Sequence, residues 1–310
     1  MRVLFFGTPA WAVPSLDALL GAGVEVAAVI TNPDRPSGRG MEPRPSPVKV
    51  RAEAAGIEIL QPERARSPEL LGRVLQIAPD VAVVVAYGSI LPKDLLDAVP
   101  RGFVNVHFSL LPEYRGAAPV QRAVMDGKAE TGVSIMVLTE GMDEGPVLAV
   151  ARVPIEGAET AGELGERLAA IGGPLAVETL TSFTSGDLDP VPQDDDLATY
   201  APKITSDDAR VDWGRRALEI RNLVRGLNPA PGAWTTFRGE RVKLHVVSFA
   251  DGATDLDSET PGTILSGDEL VVRTGDGMLR LDEVQPAGKK RMDGSEMKRG
   301  MRPAAGETFK

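Results

Sequence analysis

Apolar positions in the first half of the chain fall into two alternating kinds of segment. Residues 2–6, 24–30, 81–86 and 103–108 are short strand-like runs. The run at 81–86 has no polar break, as expected of a strand covered on both faces. Residues 10–20, 48–55 and 118–126 carry the wider apolar spacing of helices. Two more strands, over 132–138 and 147–153, and a long helix over 161–181 follow. Strand and helix in turn predict an α/β unit: a Rossmann-like, mostly parallel sheet with helices on both faces. Residues 31–47, rich in Pro, Gly and Arg, break this rhythm. A loop of that length inside a compact unit is functional or disordered. Gly21-Ala22-Gly23 follows a helix instead of opening one, so it is no dinucleotide-binding fingerprint.

The pattern changes after residue 186. Residues 187–206 form a charged, Pro-containing connector. Beyond it come one helical pattern, over 209–226, and short strands over 235–237, 241–249, 262–265, 269–274 and 277–283. Such strands between Gly/Asp turns suggest a small β-barrel, with the oligonucleotide-binding (OB) type as one candidate. The expected organisation is an α/β domain over 1–186, a linker over 187–206 and a C-terminal barrel over 207–310. A length of 310 residues suits two domains.

Composition removes several chemistries. The chain has no cysteine and two histidines, His107 and His245. A disulfide framework, a thiolate nucleophile and a multi-histidine metal site are therefore excluded, and no metal is expected. No apolar run is long enough to cross a membrane. Gly7-Thr8-Pro9 interrupts the apolar N-terminal stretch before it could serve as an export signal. A cytoplasmic protein is expected.

The net charge of −10 is unevenly spread. Residues 1–205 carry 17 Lys and Arg against 27 Asp and Glu, whereas residues 206–310 carry 17 of each. Residues 288–303 hold Lys289, Lys290, Arg291, Lys298, Arg299 and Arg302 against Asp293 and Glu296. A solvated surface or a nucleic-acid contact would both account for that basic segment.

Chemistry concentrates between residues 103 and 145. Alternation puts Asn105 and His107 on one face at the C-terminal end of a strand, where α/β sheets bind ligands. An amide donor beside an imidazole can stabilise a developing oxyanion and move a proton, which acyl transfer requires. Ser109-Leu110-Leu111-Pro112 and Arg115-Gly116 form a stiff turn into the next helix. Glycines flank Met142, Asp143 and Glu144, so that loop can bend and aim one carboxylate inward. A carboxylate beside His107 would favour its imidazolium form and fix the ring. An ordinary acidic turn and a structural histidine are the competing readings of these residues taken singly.

In order and spacing, Asn105 with His107, Ser109 to Pro112 with Arg115, Gly116 and Pro119, and Gly141 to Gly145 resemble the folate-dependent formyltransferases. Other segments are similar to the methionyl-tRNA formyltransferase branch of that family. They are Phe5 to Pro9, Pro33 to Gly40 with Pro45 to Lys49, Tyr200 to Ile204, Ala209 to Trp213, Arg221 to Pro229 and Gly288 to Met292. The resemblance runs nearly end to end.

It implies transfer of a formyl group from 10-formyltetrahydrofolate to the amine of methionine on initiator tRNA, with Asn105, His107 and Asp143 as the catalytic set. It places folate against Ser109, Leu110, Leu111 and Pro112, with a pterin pocket from Tyr87, Gly88, Ile90 and Leu91 and from Glu140 and Gly141. For tRNA it implies Arg39 in the 31–47 loop, where Arg44 is expected to compensate, and the basic Lys289, Lys290 and Arg291 are expected to add phosphate contacts. Met41 and Glu42 stand where the family often has lysines. A monomer is expected. Four alternatives stay open: a glycinamide-ribonucleotide formyltransferase, an amino-sugar formyltransferase, a 10-formyltetrahydrofolate hydrolase, and a silent folate- or RNA-binding module.

Overall fold

The computed structural model describes residues 1–37, 42–250, 260–304 and 306–310. It divides into two compact units, one of Met1–Pro119, Glu130–Pro154 and Gly165–Pro202, the other of Val120–Ala129, Ile155–Leu164 and Lys203–Lys310.

Strands β1 (Arg2–Gly7), β2 (Glu25–Ile30), β3 (Arg35–Ser37), β4 (Glu42–Arg44), β5 (Glu58–Leu60), β6 (Val81–Val85), β7 (Phe103–His107), β8 (Glu130–Val137) and β9 (Val147–Pro154) belong to the first unit. Its helices are α1 (Val13–Gly21), α2 (Pro47–Ala54), α3 (Pro68–Ile77) and α4 (Lys93–Asp97). Helix α5 (Pro119–Met125) runs on into the second unit, and α6 (Ala161–Ser185) gives that unit its first residues. Seven strands form one sheet in the order β5-β2-β1-β6-β7-β8-β9. Pairing is parallel as far as β7 and antiparallel beyond it. This is the expected mostly parallel, Rossmann-like sheet.

Both faces of the sheet are covered. Leu4, Phe6, Ile30, Val84 and Phe103 pack against Leu70, Val74 and Ile77 of α3 and Leu95 of α4. On the opposite face α6 comes close to β7, for a Cβ on Gly172 would lie 2.9 Å from Val106 Cγ1. By alternation, Asn105 and His107 therefore share the face of Phe103. Because the strand order reverses between β1 and β6, the crevice at their C-terminal ends is the switch point at which such sheets bind ligands.

Ser-Pro pairs start two helices. Ser46 Oγ accepts the Lys49 N–H at 3.0 Å with Pro47 following, and Ser67 Oγ accepts the Leu70 N–H at 3.0 Å with Pro68 following. Within 31–47 the arms β3 and β4 pair as an antiparallel ladder, Arg35 opposite Arg44. Residues 187–202 pair into the first unit: Val191 and Val147 exchange two backbone hydrogen bonds of 2.8 Å, and Tyr200 bridges to Arg115.

The second unit holds α7 (Ala217–Gly226), β10 (Ala233–Phe237), β11 (Glu240–Phe249), β12 (Val271–Arg273), β13 (Met278–Pro286), β14 (Met292–Asp293) and α8 (Gly294–Met301). Its antiparallel sheet runs β10-β11-β13-β12, with β14 beside β13. The β11–β13 register slips on both sides of Val246, which bends the sheet into the half-barrel of an OB-type domain. Ile220 and Val224 of α7 close on Phe237, Leu244, Val272, Leu279, Leu281 and Phe309.

Two expectations change here. The helix expected over 209–226 begins only at Ala217. Ahead of it, turns on either side flank a single parallel bridge from Arg210 to Trp234, the Val211 N–H donating to the Trp234 carbonyl and the Trp234 N–H to the Ala209 carbonyl, both at 2.8 Å. Trp213 is buried and donates from Nε1 to Thr235 Oγ1 at 2.9 Å, which ties this segment to β10. Residues 262–265 form single bridges, Thr263 to Thr308 and Ile264 to Val272, in place of a strand.

Candidate active site

Strand β7 delivers two polar side chains into a buried setting. Asn105 is 8% exposed and His107 is 5% exposed. The strand ladder already uses the Asn105 backbone, which pairs with Val84 and Met136. Its side-chain amide, by contrast, has no hydrogen-bond partner in the protein among the described residues. Its amide atoms are not among those sealed from solvent without a partner, so water or a bound ligand can claim the donors.

Both ring nitrogens of His107 face loop atoms. Nε2 lies 3.0 Å from the Tyr114 carbonyl oxygen. A carbonyl only accepts, so Nε2 carries the proton of that bond. Nδ1 faces Asp143 Oδ2 at 3.6 Å, an ion-pair separation longer than a direct hydrogen bond. The same Oδ2 accepts the Gly116 N–H at 2.8 Å. The structure thus brings His107 and Asp143 together, with Asn105 on the same strand face.

The loops meeting here have unusual backbone. Tyr114 and Asp143 adopt φ of 60° and 50°, and Gly116 adopts 123°. A Cβ on Gly116 would stand 2.8 Å from the Ala201 carbonyl oxygen, so glycine is required. The Ser109–Pro112 turn is tied to Glu113 and to β8: Ser109 Oγ donates to the Glu113 carbonyl at 2.6 Å. Ser134 Oγ donates to the Ser109 carbonyl at 2.7 Å and accepts the Leu111 N–H at 3.1 Å. Leu110, Leu111 and Pro112 are half-buried.

The two segments assigned to the pterin pocket lie beside each other. Leu138 packs against the core cluster that includes Tyr87 and Leu91, and Lys93 Nζ stands 3.5 Å from Glu140 Oε1. Tyr87 is buried, which pushes its hydroxyl pKa up, and its carbonyl accepts from Asn32 Nδ2 at 2.9 Å. Gly88 turns the chain at φ 80°. Ile90 and Met142 are 76% and 60% exposed, while Gly141 is half-buried. These are large apolar surfaces for a flat ring to cover.

The residues assigned to tRNA are spread out. Arg39 lies outside the described residues; Arg44 is exposed on β4. Lys289, Lys290 and Arg291 are exposed on the turn from β13 to β14, and Arg291 lies 3.6 Å from Glu283. Lys298, from the same basic segment, points inward. Its Nζ donates to the Leu265 and Glu269 carbonyls at 2.8 and 2.7 Å, and burial lowers its pKa. Among the described residues, no group of three His, Cys, Asp or Glu could hold a metal ion.

Sequence reasoning did not single out Gln193. Its Nε2 donates to the Asp143 and Gly145 carbonyls at 2.8 and 2.7 Å, and its Oε1 accepts from Arg115 Nε at 3.0 Å. It sits in a polar segment without apolar periodicity, so no pattern marks it.

Comparison with known proteins places the chain in a family. Residues 1–180 match the formyl transferase family and residues 203–302 match the formyl transferase C-terminal domain. The chain is 48% identical to a methionyl-tRNA formyltransferase of Streptomyces coelicolor, over 99% of both chains. It is 46% identical to one of Solibacter usitatus, over 97% of this chain and 96% of that one. Among solved structures, HypX from Aquifex aeolicus in complex with tetrahydrofolic acid shares the fold. The TM-score is 0.67 at 17% identity, covering 99% of this chain and 48% of that one. The chain therefore belongs to the formyl transferase family and groups within it with the methionyl-tRNA formyltransferases.

Proposed function

We infer that the chain transfers the formyl group of 10-formyltetrahydrofolate to the free amino group of methionyl initiator tRNA, giving N-formylmethionyl-tRNA for translation initiation. The observation that carries this is 48% identity to a methionyl-tRNA formyltransferase across 99% of both chains. A protein of the same fold is solved with tetrahydrofolic acid, which supports folate as the donor.

Folate supplies the formyl carbon, bonded to N10. In the transfer the amine nitrogen bonds to that carbon and loses a proton, while the carbon–N10 bond breaks and N10 gains one. The protein must therefore stabilise negative charge on the formyl oxygen and give a proton somewhere to rest. Asn105 supplies the oxygen's donor, because its amide, on a residue only 8% exposed, is unclaimed by the protein among the described residues. His107 works through its Nδ1 edge, since its Nε2 proton is committed to the Tyr114 carbonyl. Asp143, held by the Gly116 N–H, places its charge across from Nδ1 and orients the ring. The sequence has no cysteine, and direct attack by the amine needs no nucleophile from the enzyme.

Ser109 to Pro112 would hold the folate, and Tyr87 to Leu91 with Glu140 and Gly141 would hold its pterin. The exposed Ile90 and Met142 provide apolar cover. Arg39, Arg44, Lys289, Lys290 and Arg291 would meet tRNA phosphates. The protein acts as a monomer in the cytoplasm.

The test supplies labelled 10-formyltetrahydrofolate with methionyl initiator tRNA, glycinamide ribonucleotide, an amino-sugar nucleotide or water alone. Label on the tRNA-bound methionine is expected. Label only on another acceptor, or only in free formate, overturns the reading.

A further inference from the structure

We propose that Gln193 is a positioning residue for formyl transfer: anchored by the buried Arg115, it holds the loop that aims Asp143 at His107. The proposal rests on the reading of Asp143 as catalytic. Gln193 and Asp143 are 50 positions apart in the chain.

The Gln193 amide is nearly saturated. Its two Nε2 hydrogens go to the Asp143 and Gly145 carbonyls, at 2.8 and 2.7 Å, and Oε1 receives Arg115 Nε at 3.0 Å. The partners dictate the amide's orientation, because two carbonyls demand a donor and a guanidinium demands an acceptor. Only a carboxamide of this length answers both sides. Arg115 itself is 3% exposed, and its Nη2 reaches Asp195 at 2.8 Å. Its backbone is tied as well, through the Thr199 carbonyl at 2.9 Å and the Ala201 N–H at 2.8 Å. The anchor is therefore fixed in both side chain and backbone.

The loop needs such a hold. Asp143 adopts φ 50°, a left-handed conformation that aspartate tolerates better than most non-glycine residues but that still needs its neighbours to hold it. Gln193 fixes the carbonyl of this residue, and the Gly116 N–H fixes its carboxylate at 2.8 Å. With both ends pinned, Oδ2 faces His107 Nδ1 at 3.6 Å. Loss of the two Gln193 donors frees the main chain that carries Asp143 and leaves the strand carrying Asn105 and His107 untouched.

Gln193→Glu keeps the side-chain length and the acceptor for Arg115 but replaces both donors with oxygen. Gln193→Met removes the polar groups and is the second variant should the first fail to fold. Each is assayed for kcat and KM alone and combined with Asp143→Ala, with thermal melts alongside. In the otherwise wild-type chain, kcat is expected to fall about 10²-fold, the effect of a displacement near 1 Å at a reacting group. The KM for methionyl-tRNA should stay within about twofold, as for a change acting on the chemical step. With Asp143→Ala present, either Gln193 change should cost at most about twofold more, since the two act through one contact. Equal losses in both backgrounds, or wild-type kcat for both Gln193 variants, overturn the proposal while leaving Asp143's role intact. Wild-type kcat for Asp143→Ala alone overturns the catalytic reading, and the proposal with it.

Discussion

Asn105→Ala separates chemistry from folding at this site. The residue is 8% exposed, and its amide has no protein partner among the described residues. The substitution therefore orphans no donor or acceptor in the protein, and its ladder bonds to Val84 and Met136 run through the backbone and survive. What folding loses is the packing of a few side-chain atoms, about 1 kcal/mol. The transition state loses more. One donor to a developing oxyanion is worth about 2.7–4 kcal/mol, or roughly 10²–10³ in rate. The assay is single-turnover transfer of labelled formyl to methionyl-tRNA with both substrates saturating, so that product release does not mask the chemical step. A melt on the same preparation should shift by only a few degrees. Asn105→Asp should do at least as badly, because it replaces the donor with a negative charge beside a forming anion. A single-turnover rate within about threefold of wild type, far short of the loss expected for an oxyanion donor, would refute the assignment.

Further outcomes follow from other parts of the molecule. Gly116→Ala should lower both kcat and melting temperature, because φ 123° and a Cβ at 2.8 Å from the Ala201 carbonyl force the backbone to move. The strained conformation alone costs about 1–3 kcal/mol, and an unchanged melt would show that the loop yields freely. Neutralising Lys289, Lys290 and Arg291 together should raise the KM for tRNA and flatten its salt dependence by about one power for each phosphate these side chains neutralise. An unaltered slope would remove the β13–β14 turn from the tRNA footprint. The Thr205 N–H and hydroxyl, followed by Arg122, hold the Asp208 carboxyl below its usual pKa. That contribution to stability is complete above the ordinary carboxylate range and is lost as pH falls through the lower folded-state value. Asp208→Asn should therefore melt below wild type at neutral pH, with the gap closing on acidification; a constant gap across pH counts against it.

Legibility in the sequence follows the length of each element and the range of its contacts. The run at 81–86 and the alternation over 103–108 are readable because burial on two faces, or a polar face at a strand end, leaves a local imprint. Helix α3 carries Leu70, Val74 and Ile77 on one stripe, yet it is absent from the elements expected from the sequence. Its neighbour β5 is only 3 residues long, too short to show a period of its own. Residues 209–216 are expected to continue the helix, yet Ala209, Val211 and Trp213 stand two apart, a strand spacing; the structure spends them on a β-type exchange with Trp234 and a bond to Thr235. At the site, Asn105, His107 and Asp143 can be named from residue type and motif. Gln193 cannot. Its role exists only through partners 48, 50 and 78 positions away, and a polar residue in a polar segment leaves no local trace.

The division of labour around His107 follows from the same contrast. Strand β7 supplies the ring and buries it, but a strand has spent its own backbone groups on its neighbours. Partners for the ring must therefore come from loops. Here they come from a Tyr114 carbonyl and an Asp143 carboxylate on residues at φ 60° and 50°, steadied by an N–H from Gly116 at φ 123°. Tyr114 and Asp143 hold left-handed backbone that non-glycine residues seldom adopt, and it is clustered about one imidazole as such conformations tend to be at functional sites. Their effect is to commit Nε2 to a carbonyl and leave Nδ1 as the edge at which a proton can be exchanged. A histidine free to rotate could offer either nitrogen to the amine. This one offers a single edge, 3.6 Å from a carboxylate, and residues 187–202, which hold the surrounding loops, make that geometry a property of the whole first unit.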